Sequence, residues 1–383
     1  MSKILNNDFK KIGLITWYDN CNYGTCLQAY ALQYILQNYH HTDIVKYKAK
    51  SRRYSVCDLT NSFWRTQLLW KLFDRIIIEH FFTDSTSYME LKDAKIKEFI
   101  NSHLSFTEKL YDNDNLHELS DIYDIFVCGS DQIWNPTNFN PHNFLDFVNG
   151  KKRISYAPSF GVKEIENKMV RQEIVSLLEK FDYLSVREES GSCIIKKLIG
   201  KEVPVCADPT LLLRAENWMK IANESKVKIK EPFVFGLFLG RQKKHIIESQ
   251  RIAETLNSRF KLLPYQPSQF QYRCDNLPAS GPEDFLKCIL QSDFVCTDSF
   301  HATIFAIIFH KPFVVFSRFN SSSGYSQNSR VENLLNMTGL YNRLDMSEYT
   351  PDNLLDISFD EADFNIENLR NKSLKYITES LKD

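Results

Sequence analysis

The sequence predicts an α/β protein of two doubly wound domains that face a cleft. Short apolar runs alternate with helical patterns through both halves of the chain, which is the signature of parallel sheets covered by helices. The clearest single unit is Asp293 to Arg318, DFVCTDSFHATIFAIIFHKPFVVFSR. It reads as a buried strand Phe294–Thr297, a helix from Ser299 through Ile307 capped by Asp298, a stop at Lys311-Pro312, and a second buried strand Phe313–Phe316. The 383 residues suffice for two ordinary domains. The turn at Asp208-Pro209 marks the exit from the first, so the expected division is residues 1–212 and 213–383.

In the first half, Lys11–Thr16 is a strand, followed by the polar turn NCNYGT and the helical pattern CLQAYALQYILQ. Asp43–Tyr47 is the next strand. Helices are expected around Phe63–Phe82 and Met89–Asn101. The first of these carries Arg65, Lys71 and Arg75 among aromatics and packs on the sheet or, as a second option, docks on a membrane or a lipid-linked substrate. Tyr123–Cys128 is a strand that ends in GSDQIWNP, and Arg153–Tyr156 is another that ends in APSFG. A helix follows over Glu164–Lys180. Tyr183–Val186 and Val203–Cys206 are short strands on either side of a helix that begins at REESG.

The second half begins near Trp218 and passes through a charged loop, Lys226–Glu231. Phe233–Phe238 and Phe260–Pro264 are strands around a helix over Lys243–Ser258, and Gly281–Gln291 is the helix that leads into the unit at Asp293. After Phe316 comes the polar loop NSSSGYSQNSR, then a helix starting at Arg330, and a terminal helix over Ile366–Leu381.

Bulk properties exclude several classes. A formal net charge of −1 gives no electrostatic footprint for nucleic acid. The first twenty residues lack the apolar core of a signal peptide, and no run reaches the ~18–20 apolar residues of a spanning helix. The nine cysteines are scattered and odd in number, with no CxxC pair or zinc spacing. They read as reduced thiols of a cytoplasmic protein, with no metal and no bound cofactor.

Ligands of open α/β sheets bind at the carboxyl ends of strands. That rule selects Asn22, Tyr23, Gly24, Thr25 and Gln28 after the first strand, and Ser130, Asp131, Gln132 and Trp134 after Tyr123–Cys128. It also selects Arg187, whose fork suits a carboxylate or phosphate and whose plain alternative is pairing with Glu188, Glu189 or another acid. Ser299 and His301 lie in the first turn of a helix, where the unpaired N–H groups and the dipole favour an anion. A histidine there exchanges a proton with a phosphate or hydroxyl, or else is packed and hydrogen-bonded. Arg330, just after the polar loop, is placed to close on a bound anion.

Taken together, NYGTCLQAYAL, DIFVCGSDQIWNP, ISYAPSFG, LSVREESG, VCADPTLLL, TDSFHATIFAIIFHKPFVVF and SRVENLL resemble, in order, the motifs of the polysaccharide pyruvyl transferase family. They cover most of Lys11–Leu340. The resemblance implies two Rossmann-like domains similar to the GT-B glycosyltransferases, with the acceptor on the first and the donor on the second. It implies transfer of pyruvate from phosphoenolpyruvate, a co-substrate, to two hydroxyls of a sugar as a cyclic ketal during synthesis of bacterial surface polysaccharides such as capsule or exopolysaccharide. The acceptor would be a lipid-linked oligosaccharide or polysaccharide repeat, met in the cytoplasm or at the inner membrane face through peripheral contact. The family's histidine falls on His301 and its first-domain arginine on Arg187, as catalytic residues. Ser299, Arg330 and Arg187 would bind the donor; Asn22, Tyr23, Gly24, Gln28, Ser130, Asp131, Gln132 and Trp134 would bind the acceptor. Many members read Ser-x-Arg-(aromatic or Leu)-His at the central motif, where this chain has Thr297-Asp298-Ser299-Phe300-His301. Arg330, Arg318 or Arg241 then supplies the missing charge, or this branch uses another donor or chemistry. The competing classes are a GT-B glycosyltransferase using a nucleotide sugar, which would show an acidic ribose-binding residue on a glycine-rich second-domain loop, and a non-catalytic glycan-binding relative.

Overall fold

The computed structural model describes residues 10–19, 21–48, 83–229, 231–318 and 328–382. The expected helix at Phe63–Phe82 with its lipid-docking option, and most of the polar loop after Phe316, lie outside the described residues.

The first half forms a four-stranded, wholly parallel sheet. Its strands are β1 (Lys11–Ile15), β2 (His41–Ile44), β3 (Ile125–Cys128) and β4 (Lys152–Ser155), in the order β2-β1-β3-β4. β3 is buried at every position, as a central strand covered on both faces must be. Helix α1 (Tyr23–Gln37) crosses from β1 to β2, and α2 (Thr83–His103) precedes β3. α3 (Lys168–Leu178) and α4 (Glu189–Ile199) follow β4. α1 begins three residues before the expected start because the Asn22 side chain accepts from the Gly24 and Thr25 amides, a standard N-cap. Tyr23, Gly24 and Thr25 are therefore the first helical turn rather than a loop.

The strands expected at Tyr183–Val186 and Val203–Cys206 appear only as single bridges, Ile154 with Tyr183 and Val186 with Val205. The reason is chemical. The Ser155 hydroxyl accepts from the Ser185 amide and donates to its carbonyl, and the Ser185 hydroxyl donates to the Ser155 carbonyl and accepts from the Ala157 amide. Side chains thus satisfy backbone groups that a regular ladder would pair.

The second half begins with α5 (Ala215–Glu224) and forms a five-stranded parallel sheet. β5 (Phe233–Leu237), β6 (Arg259–Leu262), β7 (Asp275–Asn276), β8 (Phe294–Thr297) and β9 (Phe313–Val315) lie in the order β7-β6-β5-β8-β9. α6 (Lys243–Thr255), α7 (Pro282–Gln291) and α8 (Phe300–Ile308) connect them, and α9 (Asn328–Met337), α10 (Pro351–Leu355) and α11 (Asp360–Leu381) follow. α8 is capped by the Ser299 hydroxyl, which accepts from the Ala302 amide. The expected cap, Asp298, instead accepts from the amides of Leu239 and Gly240 at 2.7 and 2.8 Å and so ties the loop after β5 to the end of β8.

The halves exchange helices. α11 returns to the first half: the Tyr376 hydroxyl donates to the Ser155 carbonyl at 2.9 Å, the Ser373 hydroxyl accepts from the Ala207 amide at 2.8 Å, and Arg370 Nε donates to the Leu211 carbonyl at 2.8 Å. α2 reaches the second half, where Lys95 pairs with Asp284 at 2.7 Å. One apolar cluster accordingly joins Leu27 and Leu32 of α1 with Phe285, Phe305 and Ile377. Among the described residues no helix is long and apolar enough to cross a membrane. Ile377→Ala should lower stability by about 2–5 kcal/mol, the usual range for emptying such a site. Urea unfolding followed by tryptophan fluorescence measures this, and a loss below about 0.5 kcal/mol would deny that α11 is part of the shared core.

Candidate active site

Four chain segments converge at the carboxyl ends of the two sheets. The first is the turn after β3. Gly129 sits there at φ +122°, and a Cβ at that position would lie 2.0 Å from the Tyr156 carbonyl oxygen, so only glycine fits. Asp131 follows at φ +57°, a left-handed conformation that aspartate tolerates. The second is Arg187-Glu188, between the bridge at Val186 and the start of α4. The third is Asp208, which accepts from both the amide and hydroxyl of Thr210 and so opens the short turn Pro209–Leu211. The fourth is the first turn of α8, with Phe300 and His301.

Their side chains form one buried ionic cluster. Arg187 Nη1 donates to Asp208 Oδ2 at 2.8 Å and lies 3.5 Å from Asp131 Oδ1. Its Nε lies 3.6 Å from Glu188 Oε2. His301 Nε2 is 3.5 Å from the same Asp208 oxygen. Arg330, from α9, brings Nη1 to 3.9 Å from Asp131 Oδ1, and Thr25 of α1 donates to Asp131 Oδ2 at 3.1 Å. The guanidiniums of Arg187 and Arg330 both lie within cation–π reach of Phe300, at 4.7 and 5.7 Å from its ring centre. Asp131, Arg187, Glu188, Asp208, His301 and Arg330 are each at most 9% exposed.

Charge pairing sets the ionisation. Burial pushes the Asp208 carboxyl up, but His301, Arg187 and the Thr210 hydrogen bond outweigh it and hold the group well below the usual carboxylate range. Asp131 follows the same logic: burial raises it, Arg187, His301 and Arg330 pull it down, and the net direction is down. Burial, then repulsion from Arg187, lowers Arg330 to about 10, which leaves it charged at neutral pH.

Several buried polar atoms in the cluster have no hydrogen-bond partner: Arg187 Nε and Nη2, Glu188 Oε2 and His301 Nε2. Protein interiors rarely leave such groups unpaired. Four of them concentrated around two guanidiniums and an imidazole mark a place where a polar ligand completes the bonding. Donors and acceptor together suit an anion whose reaction also needs a proton moved.

The structure brings His301, Arg187, Arg330 and Asp131 together. Gly24 belongs with them, because a Cβ on it would lie 2.1 Å from His301 Nδ1. Ser299 adjoins them with its hydroxyl engaged in the α8 cap. Asn22 caps α1, and the side chain of Gln132 accepts from Asn135 Nδ2 at 2.8 Å. Other residues selected from sequence turn inward. Gln28 is fully buried and donates to Thr16, the Trp17 carbonyl and the Thr25 carbonyl, bracing the β1–α1 connection. Ser130 donates to the Ala157 carbonyl at 2.6 Å. Tyr23 stacks on Phe285, and Trp134 stacks on Phe144 with Nε1 bonded to the Asn143 carbonyl. Arg318 bonds the Asp298 carbonyl and Arg241 the Ser268 hydroxyl, so of the three candidates for the missing charge Arg330 is the one beside Arg187 and Asp131. From sequence alone Asp208 reads as a turn residue and Glu188 as a pairing partner of Arg187. Both follow apolar runs at strand ends, the signal that selected Asp131. Among the described residues no group of three or more His, Cys, Asp or Glu side chains is arranged to hold a metal ion.

A family model for polysaccharide pyruvyl transferase matches residues 22–320, most of the chain. A search of curated proteins returns no match. Among solved structures, the UDP-GlcNAc 2-epimerase from Neisseria meningitidis bound to UDP-GlcNAc is similar, with TM-score 0.51 and 10% identity over 97% of this chain and 99% of that one. The UDP-GlcNAc 2-epimerase from Methanocaldococcus jannaschii gives 0.49 and 13% over 97% and 98%. A UDP-glucosyltransferase from Polygonum tinctorium gives 0.43 and 10% over 97% of both chains. At that identity the likeness to the Neisseria meningitidis epimerase establishes the fold alone: two Rossmann-like domains of the GT-B type.

Two outcomes follow from this geometry. Asp131 and Asp208 have folded-state values below that of an unfolded aspartate, about 3.9. The stability they contribute is fully present above that value and is lost as pH falls through the folded-state values. The urea midpoint should therefore drop steeply below about pH 4, and Asp208→Asn should flatten that slope; an unchanged slope in the variant would contradict the pairing. Gly24→Ala puts a methyl into the His301 ring, so it should destabilise the protein by about 1–3 kcal/mol in thermal or urea unfolding. An unaltered midpoint would mean that the two helix starts are not in contact.

Proposed function

The chain belongs to the polysaccharide pyruvyl transferase family and is a transferase, and from that premise we propose that it moves pyruvate from phosphoenolpyruvate to two hydroxyls of a sugar as a cyclic ketal. The observation that carries this reading is the cluster of partnerless donors beside His301. Phosphoenolpyruvate presents a carboxylate and a phosphate. Arg187 offers Nε and Nη2 to one of them, and Arg330 stands near the same phenyl ring as a second cation. The starts of α1 and α8 meet at Gly24 and His301, so the positive ends of two helices also favour an anion.

The cluster holds three carboxylates against two guanidiniums. His301 stands in that cluster 3.5 Å from Asp208 and is the group placed to move a proton for a bound donor. Once the first sugar hydroxyl has added to C2 and its proton has passed to C3, the C2–oxygen bond to phosphate breaks while His301 gives a proton to the departing oxygen. The imidazole so formed takes the proton of the second sugar hydroxyl as the ring closes and returns to its starting state. Arg187 and Arg330 hold the donor and balance charge on the departing phosphate. The acceptor, a sugar diol within a polysaccharide repeat, would approach along the first-half loops at Asn22 and Gln132.

A nucleotide-sugar glycosyltransferase would share the fold. Its diphosphate would be expected at the carboxyl end of β5, but the amides of Leu239 and Gly240 there are already bonded to Asp298, which favours the pyruvyl reading. Thermal unfolding with phosphoenolpyruvate and with UDP-sugars separates the two. Phosphoenolpyruvate should raise the midpoint in wild type and much less in Arg330→Ala, and UDP-sugars should not raise it. His301→Ala should keep the fold and lose about 10²-fold or more in turnover. Stabilisation by a UDP-sugar alone would reject the assignment, and near-full turnover in His301→Ala would remove His301 from the mechanism.

A further inference from the structure

Glu188 has no part in the steps above, yet its geometry is that of a working group. It is 5% exposed and stands at the N-cap of α4 without making a capping hydrogen bond. Its carboxylate is instead turned into the ionic cluster. Oε1 accepts from the Ser159 hydroxyl. That hydroxyl already accepts from the Gly161 amide at 3.0 Å, so its one proton is directed at Glu188. One carboxylate oxygen is thus held fixed. The other, Oε2, has no hydrogen-bond partner and lies 3.6 Å from Arg187 Nε, which has none either. A buried carboxylate oxygen left open beside an open guanidinium is costly to the fold unless a ligand fills the gap.

Building on the pyruvyl-transfer reading, we propose that Glu188 is the acid–base catalyst of the first addition. In that step the sugar oxygen bonds to C2, the C2–C3 double bond opens, the hydroxyl loses a proton and C3 gains one to become a methyl group. Glu188 Oε2 takes the hydroxyl proton and delivers it to C3, ending as the carboxylate it began as. His301 then serves the second step, passing the other hydroxyl proton to phosphate. The two hydroxyl protons end on the methyl group and on phosphate, and no further reactant is needed. Two proton carriers on separate segments fit a reaction with two successive additions at one carbon.

The test uses the full chain, phosphoenolpyruvate, and a panel of p-nitrophenyl hexosides, with ketal formation and slow release of pyruvate to water as readouts. Glu188→Gln keeps the size of the side chain and the Ser159 bond. It should hold phosphoenolpyruvate with an affinity within about threefold of wild type while kcat falls about 10²–10⁴-fold. A kcat within about threefold of wild type overturns the proposal, as does loss of affinity with kcat kept at saturation, which would reduce Glu188 to a support for Arg187. Should the Gln variant not fold, Ser159→Ala frees Oε1 and should lower kcat about tenfold at unchanged affinity; an unchanged kcat there overturns it equally. A wild-type protein that yields neither ketal nor pyruvate overturns the pyruvyl-transfer reading itself, and the role of Glu188 with it.

Discussion

The Asp208 carboxylate joins an arginine of the first half to a histidine of the second. It receives Arg187 at 2.8 Å and faces His301 at 3.5 Å, while its other oxygen is held by Thr210. A charge buried this deeply is tolerated only when its partners are fixed. The rest of the structure can be understood as the means of fixing them. Asp208 is the counter-charge that Arg187 and His301 share, so the halves cannot slide without breaking the pairs.

That requirement explains why the halves trade helices. α11 closes backbone groups of Ala207 and Leu211, which flank Asp208 in sequence, and of Ser155 at the end of β4. α2 and α7 add the Lys95–Asp284 pair. The close approach of α1 and α8 sets a second limit. With glycine at 24, the His301 imidazole packs directly against the backbone at the start of α1. Phe300 gives both guanidiniums an aromatic ring and keeps them near each other despite like charge. A ligand with two anionic groups would relieve that repulsion, and the partnerless atoms of Arg187, Glu188 and His301 are where it would bind.

Much of this was legible in the chain. Alternating strand and helix patterns place eight of the nine strands found among the described residues to within a few residues, and β7 is the one they do not show. Asp131, Arg187 and His301 were legible because strand ends and helix starts are local features. Gln28, Ser130, Tyr23 and Trp134 are polar or amphipathic residues in the right segments, but a segment has two sides. The Gln28 amide and the Ser130 hydroxyl face backbone carbonyls, and the rings of Tyr23 and Trp134 face Phe285 and Phe144. Asp208 and Glu188 are inconspicuous in the sequence for the opposite reason. A turn residue and a neighbour in an ion pair look ordinary until the partners from other segments are known.

The sequence by itself determined the fold class, the family and the segments that carry polar groups, because periodicity, capping and motif order are properties of neighbours along the chain. Only the tertiary structure decided that Arg330, and not Arg318 or Arg241, stands beside Arg187. It alone showed that Asp298 ties a loop rather than caps a helix. Both are questions of which distant groups meet. Burial settles them, since a charged side chain inside the protein must take whichever counter-charge the packing brings within a few ångströms.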